Sequence, residues 1–296
     1  MQTRPVSFES EGLQLDGDLY LPDLPAEARL PSVIVCSGYQ GLKQIQPARF
    51  ARALVPLGYV CLGFDYRGFG KSEGRAGRLM PEEQVADVLA GLSFLEGVSE
   101  VDPARMGLIG WGLGGGIAVA AAALDARVAT VVALNPVANG ERATEFAHEP
   151  GSWERLQARI RADRTRDVSE LVPPFEILPL DRDTTVYADD ELFRYPGFET
   201  PVSLESADAL LRFRPEDVVR NIAPRPLLLI HGAENRLNPP VESIELHRRA
   251  GEPKQLVLLE NAGHTEWMYD DDPTFARVVR LVADFLEGGL ARRPAA

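Results

Sequence analysis

Apolar and polar positions along the 296-residue chain fall into two patterns that alternate. Short continuous apolar runs at residues 32–36, 59–64, 106–111, 127–134, 226–231 and 255–259 suit strands covered on both faces, where no position has to meet water. Between them lie stretches with apolar residues at helical spacing, at 49–57, 81–95, 240–250 and 273–286. Gly58 stops the first of these, and Pro81 opens the second, at a position where its missing N–H costs nothing. Repeated strand and helix units predict a mostly parallel sheet of about eight strands with helices on both faces. Ahead of them, residues 6–8 and 13–21 alternate apolar with polar around Glu11-Gly12, which predicts an antiparallel hairpin at the sheet edge. Residues 22–31 read as a connection.

Two segments depart from this rhythm. The run at 106–111 passes into Gly110-Trp111-Gly112-Leu113-Gly114-Gly115-Gly116 and then into the alanine-rich stretch 117–124, which reads as strand, sharp turn, helix. From about residue 135 to 214 the alternation stops. This stretch holds Trp153, Tyr187, Phe193, Tyr195, Phe198, many charges and several prolines, and it reads as a mostly helical insertion. The organisation expected is therefore a core over residues 1–136, an inserted cap over 137–215 and the rest of the core over 216–296. The tail around residues 292–294 is expected to fray.

Composition narrows the classes of partner. The net charge is −13, from 44 acidic and 31 basic side chains, which works against binding a polyanion. Nucleic acid is not an expected partner, and no cofactor or metal is implied. Only two cysteines occur, Cys36 and Cys61, both inside apolar runs, so a disulfide framework is excluded and a reducing cytoplasm fits. Residues 1–10 lack the apolar core of a signal peptide, and no run approaches the roughly 18 apolar residues of a membrane span. The expectation is a soluble cytoplasmic protein with a small-molecule substrate and no membrane partner; a homodimer is compatible with it.

The candidate chemistry sits in five motifs. In chain order they are Ser37-Gly38-Tyr39-Gln40-Gly41, Asp65-Tyr66-Arg67-Gly68-Phe69-Gly70-Lys71-Ser72, Gly110-Trp111-Gly112-Leu113-Gly114-Gly115, His231-Gly232-Ala233-Glu234-Asn235-Arg236-Leu237-Asn238-Pro239 and Asn261-Ala262-Gly263-His264. Their order and spacing resemble the α/β-hydrolase superfamily, in particular the dienelactone-hydrolase-like and acyl-peptidase-like subgroup. The resemblance covers nearly the whole chain outside the insertion. It implies the α/β-hydrolase fold with a helical cap, and a site built from a nucleophile elbow, an acid loop and a histidine turn, in that chain order.

Carried over residue by residue, the resemblance places Gly112 at the nucleophile position, where a glycine can attack nothing. Asn235 falls at the acid position, with its neighbour Glu234 as a stand-in if the loop shifts. His264 holds the histidine position and is expected to approach Gly112. The backbone N–H groups of Tyr39 and Leu113 take the oxyanion-hole positions, flanked by Ser37 and Trp111 as substrate-binding residues. An asparagine can hydrogen-bond an imidazole but cannot stabilise an imidazolium as a carboxylate does. Cys36 is a candidate replacement nucleophile, against the plainer reading of a buried strand cysteine. His231 reads as a packed or capping histidine, His148 and His247 as surface or cap residues, and Asp65 and Arg67 as braces of their turn.

Two aimed N–H donors, one of them at a helix start, still polarise a carbonyl where no serine stands. The reading is an enzyme acting on a small carbonyl compound without a nucleophile, His264 serving as general base or acid, in C–C cleavage, elimination, decarboxylation, cyclisation or water-mediated hydrolysis. Two alternatives stay open at this point: a serine esterase or peptidase whose nucleophile has been replaced, and a catalytically silent ligand-binding protein.

Overall fold

A computed structural model describes residues 1–23 and 29–291. The connection expected over 22–31 lies partly, and the tail at 292–294 wholly, outside the described residues. Among the described residues eight strands form one sheet in the order β1 (Gln2–Ser10), β2 (Leu13–Leu21), β4 (Val60–Phe64), β3 (Leu30–Cys36), β5 (Val101–Trp111), β6 (Val128–Leu134), β9 (Leu227–Gly232) and β10 (Lys254–Leu259). A second, two-stranded sheet pairs β7 (Leu171–Val172) with β8 (Val202–Ser203). This is the α/β-hydrolase fold. β1, β2 and β4 pair antiparallel, and every later pairing in the main sheet is parallel.

Each pattern in the sequence has a visible cause. The hairpin β1–β2 turns at Glu11 and Gly12, both at positive φ, as a two-residue turn that follows the twist of its strands requires. β4 is buried at every position, and β3 and β6 at five or more of their seven, because helices cover both faces. These are α1 (Gln46–Leu54), α2 (Pro81–Glu96), α3 (Leu113–Leu124) and, after the second half of the chain returns to the sheet, α9 (Val241–Arg249) and α10 (Pro273–Gly289). α1 begins three residues earlier than the spacing indicated and ends in a 3₁₀ turn at Val55–Leu57, which Gly58 stops at φ 93°.

The turn from β5 into α3 positions the site. Gly112 adopts φ 56° and ψ −120° between the two elements, a conformation that a side chain tolerates only under strain. Gly114 is needed for a different reason: a β-carbon there would stand 2.1 Å from the Ser37 carbonyl oxygen and 2.5 Å from that of Cys36. α3 thus lies against the end of β3, and no larger residue lets its first turn approach so closely.

Between β6 and β9 the chain leaves the sheet for α4 (Gly140–Ala147), α5 (Pro150–Asp163), α6 (Pro174–Ile177), α7 (Arg182–Tyr187) and α8 (Leu204–Arg212). Its entry is anchored by the buried Glu242, which accepts the N–H groups of Ala138 and Asn139 at 2.7 and 2.8 Å and pairs with Arg142. Over the sheet it is held by the Tyr39 hydroxyl donating to the Pro174 carbonyl at 3.2 Å and by Arg49 with Glu191 at 3.4 Å. No helix among the described residues is long and apolar enough to cross a membrane.

Candidate active site

Gly112 caps α3. Its N–H donates to the Leu134 carbonyl at 2.9 Å, and its own carbonyl accepts from Gly115 and Val137 at 3.0 Å each. The next residue, Leu113, opens the helix, and its N–H has no partner among the described residues; the same holds for the N–H of Tyr39 in the loop after β3. Both residues line one cavity. Unpaired N–H groups at a helix start carry the positive end of the helix dipole and suit an anion or a polarised carbonyl oxygen.

His264 faces this turn. A β-carbon built on Gly112 would lie 3.9 Å from both Cε1 and Nε2 of the ring, so a hydroxyl there would come within hydrogen-bond reach. The turn carrying His264 is tied by the Glu266 carboxylate, which accepts the N–H groups of Gly263 and Thr265, and by Trp267 Nε1 donating to the Gly263 carbonyl at 3.2 Å. Asn135, at positive φ after β6, donates from Nδ2 to the His264 carbonyl at 3.0 Å. The ring packs edge-to-face on Trp111. Burial drives its pKa down to about 3, against a smaller upward pull from Asp181 and with a further downward push from His231, so the imidazole is neutral at pH 7.

The far side of His264 meets Asn235, whose orientation is fixed. Its Oδ1 accepts the N–H groups of Leu237 at 3.1 Å and Asn238 at 2.9 Å, so its amide nitrogen is the atom turned to the imidazole, 3.0 Å from Nδ1. An amide NH₂ only donates. Nδ1 therefore accepts, and the single proton of the neutral ring resides on Nε2, the nitrogen that faces the cavity. In a serine–histidine–acid triad the protons lie the other way round.

Glu234 does not take the acid position. It is exposed, its N–H donates to the Ala262 carbonyl, and it makes no side-chain bond to His264; the loop turns Asn235 inward and Glu234 out to solvent. Ser37 lines the cavity, but its hydroxyl donates to the Leu42 carbonyl at 2.9 Å. Trp111 lines the cavity as well. Cys36 is buried beside it, with its thiol pushed up to about 12 by desolvation, and a thiol so held is no nucleophile. His231 is packed, its ring nitrogens on Ser243 Oγ and the Asn238 carbonyl and its pKa lowered to about 4 by burial. Asp65 accepts from the N–H groups of Lys43 and Lys71, and Arg67 forks onto Asp87, bracing their turn. His148 bonds Ser152 and the Ile177 carbonyl, away from the cavity wall, and His247 lies in the last turn of α9.

The cavity is narrow, with a volume of about 90 Å³, and most of its lining is apolar. Its floor is the Gly112 turn with His264, and its far wall is built by Phe175, Leu180, Leu192 and Phe198 from the segment between β6 and β9. Among the described residues no Asp, Glu, Lys or Arg lines it. Gln40, Asn238 and Thr265 also line it, and the sequence reading gave none of them a role. Gln40 and Asn238 lie within two of the motifs and Thr265 directly follows a third, all in loops, where a polar side chain ordinarily faces water.

A family model described as serine aminopeptidase, S33, matches residues 29–271, from β3 through the histidine turn. The chain belongs to this family of α/β-hydrolases. Within the wider set of similar proteins it is 28% identical over 289 residues to the polyketide transferase ATR5 of Stachybotrys chlorohalonatus, covering 92% of this chain and 93% of that one. It is 24% identical over 304 residues to the thiohydrolase aneE of Aspergillus aculeatus, covering 95% and 92%. The crystal structure of the α/β-hydrolase GrgF from Penicillium sp. sh18 superposes with a TM-score of 0.84 at 22% identity, over 99% of this chain and 100% of that one, a likeness of fold.

Proposed function

We propose that this S33-family chain is an enzyme that activates the carbonyl of an uncharged, largely apolar acyl compound by hydrogen bonding, with no covalent intermediate at position 112. The N–H groups of Leu113 and Tyr39 and the Nε2–H of His264 are the donors. The observation that carries this reading is the Asn235 amide against His264 Nδ1 at 3.0 Å, which leaves His264 a donor toward the cavity. A neutral imidazole in that state polarises a carbonyl without titrating. Aimed donors of this kind act where charge develops in the transition state.

Among the described residues the wall offers no carboxylate, and His264 presents no lone pair to the cavity, so reactions that begin with proton abstraction by the protein are disfavoured. Cyclisation is favoured. In it the bound molecule supplies its own nucleophile: a hydroxyl oxygen bonds to the polarised acyl carbon of a thioester, the carbon–sulfur bond breaks, and the hydroxyl proton ends on the departing thiolate. The names of the two relatives, a polyketide transferase and a thiohydrolase, support an acyl substrate. A serine hydrolase that has lost its nucleophile alone is not supported, because Asn235 would hold His264 in the wrong tautomer for a serine at 112.

The test is turnover of a medium-chain hydroxyacyl thioester of N-acetylcysteamine, followed by thiol release and by the mass of the product. The expected result is a lactone, an enzyme whose intact mass never changes, and a loss of roughly 10² to 10³-fold in kcat on His264→Ala, the cost of one oxyanion donor. An acyl adduct on the protein, or turnover indifferent to His264→Ala, overturns the proposal.

A further inference from the structure

The main sheet ends in two edges of different character. β1, at one end, carries Arg4, Pro5 and Glu9, and proline and charge keep an edge from pairing with another chain. β10, at the other end, runs from Lys254 through Gln255-Leu256-Val257-Leu258-Leu259 to Glu260, with no proline and no charge between the two ends. Among the described residues no strand pairs with its outer side. Leu258 is 41% exposed, and on α9, which packs against β10, Val241 and Ile244 are 38% and 41% exposed. The ladder with β9 settles which backbone groups face outward. The Pro253 and Leu259 carbonyls accept from Leu227 and Ala233, and the register between them is unbroken. Backbone groups of successive strand residues turn to opposite sides, so the N–H and C=O of Leu256 and Leu258 point away from β9. The N–H of Lys254 points the same way and is taken by the Glu252 carboxylate at 3.1 Å.

We infer that β10 is the interface of a homodimer, pairing antiparallel with β10 of a second copy about a two-fold axis through Val257. This register sets each Leu256 opposite Leu258 of the other copy. Both residues have outward N–H and C=O groups, so they exchange both bonds, as a hydrogen-bonded antiparallel pair requires. It also sets Lys254 opposite Glu260 of the other copy, twice by symmetry. Those charges are available: Glu260 is exposed and the Lys254 ammonium donates to the Ala250 carbonyl at 2.8 Å, whereas Glu245, Arg248 and Arg249 on α9 pair with one another. Opposite charges facing across a strand pair stabilise it, and like charges destabilise it. Axes through Leu256 or Leu258 keep the backbone pairing but set Lys254 opposite Leu258 or Ala262. Charge complementarity therefore selects both a second copy as occupant and the axis through Val257. The two-fold places the α9 helices of both copies on one face of the continued sheet, the face that exposes Val241 and Ile244. β10 leads into the turn that carries His264, but the inference is independent of what the cavity turns over.

Sedimentation of the full chain from about 1 to about 200 μM reads the association constant. The unsubstituted protein is expected to dimerise in this range. Leu256→Pro removes an outward N–H and leaves the β9 ladder intact, a place where an edge strand accepts proline, and it is expected to abolish the dimer. Lys254→Glu and Glu260→Lys are each expected to weaken self-association about 10-fold, since each replaces two facing ion pairs by two like-charge pairs. Mixed in equal amounts, these two variants again set opposite charges at both positions and are expected to dimerise as the unsubstituted protein does, which also shows that both are folded. A chain that stays monomeric throughout overturns the inference, as it would if the edge served an extended segment of a different protein. So does a dimer untouched by Leu256→Pro, or a mixture that associates no better than either variant alone.

Discussion

The two loops that meet at His264 are built on opposite principles. On the far side, the Asn235 loop uses both ends of its asparagine: Oδ1 takes two backbone N–H groups and Nδ2 faces the imidazole. On the near side, the turn at Gly112 leaves the Leu113 N–H unpartnered, and the loop facing it leaves that of Tyr39. The difference teaches where the chain spends its own hydrogen-bonding capacity and where it reserves that capacity for a ligand. The satisfied loop fixes the proton on His264, and the unsatisfied turn awaits the carbonyl on which that proton acts.

The strongest way to break the comparison is to convert both loops at once. Asn235→Asp keeps an acceptor for Leu237 and Asn238 while replacing the amide donor by a carboxylate oxygen, which draws a proton onto Nδ1 and frees Nε2 to accept. Gly112→Ser alone is expected to react with a serine-directed fluorophosphonate about 10⁴-fold more slowly than Gly112→Ser with Asn235→Asp, the factor that separates asparagine from aspartate in a known triad. Intact mass against time reads the two rates, and equal rates would remove the significance given to Asn235.

A smaller effect distinguishes two glycines of the same turn. Gly114→Ala drives a β-carbon into the Ser37 and Cys36 carbonyls and is expected to cost about 3 kcal/mol in urea unfolding. Gly112→Ala meets nothing closer than 3.9 Å and pays only for its positive φ, about 1 to 2 kcal/mol. The reverse order would mean that backbone conformation, and not the close approach of α3 to β3, dominates the turn.

The third effect is on stability against pH. His264 and His231 have folded pKa values lowered to about 3 and about 4, below the ordinary value of about 6.5. Between those limits the unfolded chain binds the protons, so stability is complete above about pH 6.5 and is lost as pH falls. For each ring the loss is on the order of 2 kcal/mol by about pH 5. His264→Gln is expected to remove its share, so the difference in unfolding free energy between pH 7 and pH 5 shrinks relative to the unsubstituted protein. An unchanged difference would show that His264 is not held neutral by burial.

The fold was legible because its physics repeats along the chain. Strands β3, β4 and β6, buried on both faces, can only be continuous apolar runs, and the turns at Glu11-Gly12 and Gly58 need the positive φ that their residues supply. The short elements between β6 and β9 were not individually legible: α6 spans four residues and β7 and β8 two each, too few for any periodicity. At the site, the motif order pointed to Gly112, Asn235 and His264. The choice between Glu234 and Asn235 turned on which way a loop residue points, which spacing does not encode. Gln40, Asn238 and Thr265 look like ordinary loop polarity until their burial is known. The proton on His264 was hidden for a related reason, since it depends on which atom of Asn235 the N–H groups of Leu237 and Asn238 occupy.

That proton is also the most direct test. In protein carrying ¹⁵N-labelled histidine, two-bond correlation spectra assign the tautomer of each imidazole, and His264→Gln identifies its signals by their disappearance. The account predicts for His264 a proton-bearing Nε2 with a pyrrole-type shift and a bare Nδ1 with a pyridine-type shift, unchanged from about pH 8 down to about pH 5. A pyrrole-type signal at Nδ1, or a ring that becomes an imidazolium within that range, would contradict it.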